Sequence, residues 1–172
     1  MTPADSTLIR TGIPAQRTSS ARSSERFVVL SGGVWPASPA DVEPPGVAGF
    51  IVSSFSPLAV EAAERAMRAY VGAPPDGEQP PEQPVTAVII VSSAADDVSA
   101  RAVADAVDVG GRIGPLMFFQ SVPTAVAGYI AARWHLTGPV VAISPAAGDA
   151  ITAAADAAGF LFDDGDAERA LL

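Results

Sequence analysis

One histidine and no cysteine narrow the chemistry open to this chain of 172 residues. Ser144 follows an apolar stretch, Val140 to Ile143, and precedes a helical pattern, the place where a nucleophile elbow exposes its hydroxyl. His135 is the sole imidazole. Acyl transfer through Ser144 would need a base such as His135 within hydrogen-bond reach. The local sequence argues for a simpler reading: Ser-Pro-Ala-Ala-Gly is not Gly-x-Ser-x-Gly, and Pro145 makes the segment a plain turn. A lone histidine near the end of a helix reads as a surface or capping residue. Ser144 and His135 are therefore weak catalytic candidates.

Other constellations also lack the spacing that chemistry needs. Asp96, Asp97, Asp105 and Asp108 do not match a calcium loop and read as solvated charges. Ser31, Gly32 and Gly33 follow a strand pattern, but no third glycine or lysine completes a phosphate cradle. Asp163, Asp164, Asp166 and Glu168 read as a solvated loop. The absence of cysteine removes disulfides, thiolate metal sites and a cysteine nucleophile from this chain. The expectation is no metal and no cofactor.

The elements that would position these residues are legible in part. Residues 1–25 are rich in Ser, Thr, Pro and Arg with little apolar periodicity, which predicts a disordered tail. Phe27 to Leu30 reads as a buried strand running into a tight turn at Ser31-Gly32-Gly33, followed by a proline-rich loop to Gly46. Ser56 and Pro57 open a helix whose buried stripe is Val60, Ala63, Met67 and Val71, stopped by Gly72. Residues 73–84 read as a surface loop. The continuous apolar run Val85 to Val91 predicts a strand covered on both faces, and hence a parallel α/β arrangement. A short helix is expected from Asp97 to Ala106, and after Ser121 and Pro123 an alanine-rich helix through Trp134 with Val122, Val126 and Ile130 on one face, ended by Gly138 and Pro139. Val140 to Ile143 reads as a further buried strand, Asp149 to Phe162 as a helix with small residues all round, and Glu168 to Leu172 as the beginning of a strand.

Charge and composition exclude whole classes of function. The formal net charge is −9 and every cation is an arginine, so no broad basic surface exists to meet a nucleic acid. No stretch reaches the roughly 20 apolar residues of a membrane span, and no signal-peptide run follows the N-terminal arginines, so the expected compartment is the cytoplasm.

The segment Phe118 to Ile143, FFQSVPTAVAGYIAARWHLTGPVVAI, resembles the approach to the active site in β-ketoacyl synthases and chain-length factors of the thiolase-like superfamily. Phe27 to Trp35 resembles that family's opening strand, and Ala150 to Ala170 its following helix and strand. The resemblance implies half of a thiolase-like fold, a mixed or mostly parallel sheet packed by helices, with residues 26–172 as an N-terminal-like synthase domain. It also implies where the chain departs. The family places a cysteine at a Thr-Ala-Cys elbow, and here Ser144 to Ala147 contain none and the elbow is shortened. No catalytic residue carries over.

What the resemblance implies about function is a non-catalytic partner or scaffold in polyketide or fatty-acid biosynthesis, forming a homodimer or a heterodimer with a ketosynthase. Phe118, Phe119, Val122 and Val141 are the interface candidates, with a place in the core as the alternative for the cluster from Leu116 to Phe119. An acyl carrier protein is a further candidate partner, with Arg112 and Arg133 as its only local basic contacts, although such carriers are acidic like this chain. Two alternatives stand beside this: a small acyl-thioester hydrolase or transferase using Ser144 with His135, and a degenerate synthase fragment, suggested by the short strand at the end.

Overall fold

The computed structural model describes residues 4–11, 27–77, 83–94, 96–145 and 149–172. Five strands, β1 (Ala4–Thr11), β2 (Phe27–Trp35), β3 (Thr86–Val91), β4 (Val140–Ile143) and β5 (Arg169–Leu171), form one mixed sheet in the order β2-β1-β5-β3-β4. Five helices pack with it: α1 (Phe55–Val71), α2 (Asp97–Asp108), α3 (Pro115–Gln120), α4 (Pro123–Trp134) and α5 (Ala150–Asp163). β1 pairs antiparallel with β2 and β5, while β3 pairs parallel with β4 and β5. The expected α/β class and mixed sheet are therefore present.

Alternation along the strands divides the core in two. Leu8, Val88 and Leu171 point to one face, where they meet Val60, Ala63 and Met67 of α1 and Val126, Ile130 and Trp134 of α4. Ile9, Ala87, Ile89 and Ala170 point to the other, against Ala158 of α5 and Ala167. β3 is covered on both faces, as a continuous apolar run requires.

Several expectations are corrected. Ala4–Thr11 is not part of a disordered tail: it is an inner strand, because adjacent Leu8 and Ile9 bury on opposite faces and the backbone is paired on both sides. The remainder of that expected tail, residues 1–3 and 12–25, lies outside the described residues. β2 does not turn at Ser31-Gly32-Gly33 but continues to Trp35. A Cβ on Gly33 would collide with the backbone of Ala62 and Ala66, so this glycine serves the close approach of α1 to the sheet. Nor are β2 and β4 buried strands. They are the two sheet edges, with Val28, Val29 and Val140 exposed.

Helix ends also differ from expectation. α1 begins one residue before Ser56, whose backbone N–H donates to Ser53 Oγ at 2.8 Å, and Val71 at its far end is exposed. α4 stops at His135, in left-handed conformation, before Gly138 is reached. Gly138 has a different duty: a Cβ there would strike the backbone of Thr86 and Ala87, where the Gly138 N–H donates to the Thr86 carbonyl at 3.1 Å. Asp96 is buried rather than solvated, accepting from Ser99 N at 3.2 Å and Ser99 Oγ at 2.8 Å as the N-cap of α2.

Arg65 fastens the loop after β2 to α1. Its guanidinium forks onto Asp41 (3.0 and 3.1 Å), donates to Glu61 and to the Val34 carbonyl, and lies 4.4 Å from the Trp35 ring centroid. The hydrogen bond from Arg65 lowers the Asp41 carboxyl from 3.8 to about 2, helped by the backbone N–H groups of Ala37 and Ser38.

These contacts give three expected outcomes. Gly33→Ala and Gly138→Ala each lose about 1–3 kcal/mol in urea unfolding, the range for forced overpacking, whereas Gly128→Ala, with open space at its Cβ on helix α4, gains about 0.5–1 kcal/mol. The Asp41 carboxyl has a lower pKa folded than unfolded. Its stabilisation is therefore complete above about pH 3.8 and disappears as pH falls through about 2. Thermal midpoints of wild type and Asp41→Asn should accordingly differ at pH 7 and converge over that acid window.

Candidate functional site

The path of the chain brings one set of features to the carboxyl ends of β3 and β4. From β3 it runs through α2, α3 and α4 before entering β4 parallel to β3, so α4 runs back along the sheet, packed on both strands. The amino end of α4, with α3 attached, therefore lies at the carboxyl ends of the parallel strands. The turn from β4 into α5, containing Ser144, is at the same end. In open α/β sheets this is where ligands bind and where an elbow nucleophile sits.

Ser144 is exposed there, directly after β4. Asp149 caps the helix that follows, accepting from the Ile151 N–H at 2.9 Å and from Thr152 Oγ1 at 3.0 Å. His135 is at the other end of the strand. The Gly138–Thr86 hydrogen bond marks the amino ends of β3 and β4, and the Ser92–Ile143 bond (3.1 Å) marks their carboxyl ends. The strand length between Thr86 and Ser92 is about 20 Å at about 3.3 Å per residue. A nucleophile and its base must lie within about 3 Å, so the fold does not bring Ser144 and His135 together. His135 instead closes α4: its left-handed backbone lets the Leu136 N–H reach the Ala131 carbonyl at 2.8 Å. Its Nδ1 is buried without a hydrogen-bond partner among the described residues.

The interface candidates fare differently from one another. On α3, Phe118 and Phe119 are 63% and 50% exposed, and Leu116 is exposed beside them. This overturns the alternative that the cluster is core. A six-residue helix cannot turn four consecutive apolar residues inward, so only Met117 is partly sheltered. The loop before α1 widens the patch. Phe50 and Phe119 have ring centroids 5.9 Å apart, the Val52 N–H donates to Gln120 Oε1 at 3.1 Å, and Ile51 between them is exposed. Val122, at the N-cap of α4, is partly exposed at the end of α3. Ile51 was not legible as part of this surface, because nothing in the sequence places that loop against α3.

Val141 is not an outward-facing side chain. It packs beside Ile89 and Ala87 in the second core cluster. What β4 offers is backbone. Pro139 and Ile143 bond to β3, so alternation turns the N–H and C=O groups of Val140 and Ala142 away from the sheet, unpaired by any described strand.

The charged candidates are mostly structural. Arg133 is engaged with Glu64 at 3.0 Å, whereas Arg112 is exposed in the loop before α3. Asp97 pairs with Arg101 at 2.9 Å, and Glu168 accepts from the Val85 N–H at 3.1 Å. Among the described residues no three His, Asp or Glu side chains converge as a metal-ligand set, and no helix is long and apolar enough to cross a membrane.

No protein-family model matches this sequence, and no curated protein matches it. A solved structure does share the fold: the complex of the ketosynthase ApeO with its chain length factor ApeC from Xenorhabdus doucetiae. It is similar with a TM-score of 0.54 at 15% identity, over 96% of this chain and 63% of the matched chain. The fold is thus α/β and corresponds to half of a thiolase-like fold, and the chain spans less than two thirds of that neighbour's length.

The separation of Ser144 from His135 has a measurable consequence. Ser144→Ala and His135→Ala should leave the hydrolysis of short acyl thioesters at the level of the unaltered protein, read by release of free thiol. A drop of about tenfold or more in either variant would restore a catalytic role.

Proposed function

We propose that this protein is a non-catalytic, ketosynthase-like partner that acts by associating with a condensing enzyme of polyketide or fatty-acid biosynthesis. One observation carries the reading: an apolar surface of Ile51, Leu116, Phe118, Phe119 and Val122 stands open on a chain whose fold is shared with a ketosynthase–chain length factor complex. Soluble monomers rarely leave such side chains together in water. Covering the exposed part of each contributes on the order of 1 kcal/mol, and aromatic residues at the centre of an interface contribute more. The open backbone of β4 adds a second means of attachment.

Charge favours a heterologous partner over a second copy, since two chains of −9 each repel on approach. The same argument ranks a ketosynthase above an acidic acyl carrier protein. A degenerate fragment is less well supported than the sequence suggested, because the short last strand is the central strand of the sheet, paired on both sides. Residues 26–172 together with β1 form the domain on this reading, and the elbow without a cysteine is the reason that it does not condense thioesters itself.

The reading is tested by the mass in solution of the protein mixed with the ketosynthase encoded nearest to it. A mixed complex is expected. Phe118→Asp combined with Phe119→Asp should weaken it by about a hundredfold or more, as loss of interface anchors does. A monomer that ignores that ketosynthase would overturn the proposal.

A further inference from the structure

On the other side of Phe50 from Phe119, a depression of about 230 Å³ opens between α1, α4 and the loop before α1, with Pro45, Val47, Pro57 and Tyr129 in its wall. Three arginines line it: Arg65, Arg68 and Arg133. Arg65 is committed to Asp41, Glu61 and the Val34 carbonyl. The other two are arranged differently.

Arg68 of α1 and Arg133 of α4 converge on one carboxylate. Arg68 Nε lies 3.1 Å from Glu64 Oε2, and Arg133 Nε lies 3.0 Å from Glu64 Oε1. Two guanidiniums on one carboxylate leave a surplus positive charge. The Glu64 side chain is 13% exposed, whereas Arg68 and Arg133 are 52% and 46% exposed, so the anion lies beneath and the cations face the solvent. Among the described residues Arg133 engages through Nε, which leaves its terminal amino groups as donors, and Arg68 keeps Nη1. Glu61, the other carboxylate in the lining, is held by Arg65 at 3.0 Å, so the guanidiniums of Arg68 and Arg133 are the most exposed charges over the depression, and at physiological salt charges beyond about 8 Å are largely screened.

We propose that this depression binds a phosphate monoester, a role separate from association with a condensing enzyme. Donors approaching from two helices suit a tetrahedral group with three free oxygens better than a planar carboxylate, whose place Glu64 already fills. Pro45, Val47 and Pro57 offer an uncharged wall for the organic part of an ester.

The test follows the arginine Nε–H signals of the full chain by NMR at constant ionic strength. Inorganic phosphate and phenyl phosphate are the two probes, with sodium chloride as the control. Saturable shifts at Arg68 and Arg133 are expected with both, phenyl phosphate binding at least about threefold more tightly because its ring covers the apolar wall. Arg133→Gln should weaken binding about tenfold, and Glu64→Gln, which removes the competing carboxylate, should strengthen it. Arg68→Gln provides a second loss variant should Arg133→Gln perturb the fold. Shifts that never saturate, or that persist unchanged in both arginine variants, would overturn the site. Equal affinity for the two probes would overturn its assignment to an ester.

Discussion

The insertion of β5 between β1 and β3 is the constraint on which the rest of the molecule depends. β5 pairs antiparallel with β1 on one side and parallel with β3 on the other, and so joins an antiparallel pair to a parallel pair in a single sheet. Ala170 and Leu171 are buried on opposite faces, and their neighbour Leu172 exchanges two backbone hydrogen bonds with Thr7. Without these residues neither core would be continuous, because each draws on strands from both halves of the sheet.

Once the sheet is continuous, the two faces are treated unequally. α1 and α4 cover one face with interlocking apolar side chains, close enough that Gly33 must lack a side chain. The other face has α5, an alanine-rich helix whose Ala154, Ala158 and Gly159 turn inward while Ile151 and Phe160 remain exposed. The aromatic surface of α3 and the edge of β4 are likewise left uncovered by the described residues.

Its polar side chains are largely spent on holding elements in place. Asp41 and Arg65 fasten a loop to α1, Asp96 and Asp149 cap helices, Glu168 takes the Val85 N–H, and His135 ends α4 in a conformation that few side chains adopt. The buried groups in this set stabilise by satisfying backbone donors that would otherwise be orphaned. Arg68 and Arg133 share Glu64 while remaining about half exposed.

The sequence by itself determined the elements whose residues repeat with a single period. The continuous run of β3, the helical stripe of α1 and the small-residue faces of α4 and α5 are each encoded over neighbouring residues, and they emerge near the expected positions. It also determined the α/β class, through a strand too apolar to face water, and it brought the aromatic cluster of α3 to attention. Tertiary structure decided whatever rests on contacts between distant segments. β1 was illegible because Leu8 and Ile9 are the only large apolar residues in a mostly polar stretch, and their burial exists only once β2 and β5 flank them. The glycines of β2 and of the loop before β4 resemble turns until the backbones pressing on them are known. Whether Phe118 and Phe119 are core or surface, and whether Ser144 can meet His135, depends on which way α4 runs along the sheet. Local sequence carries the period of an element but not the position of the elements it must pack against.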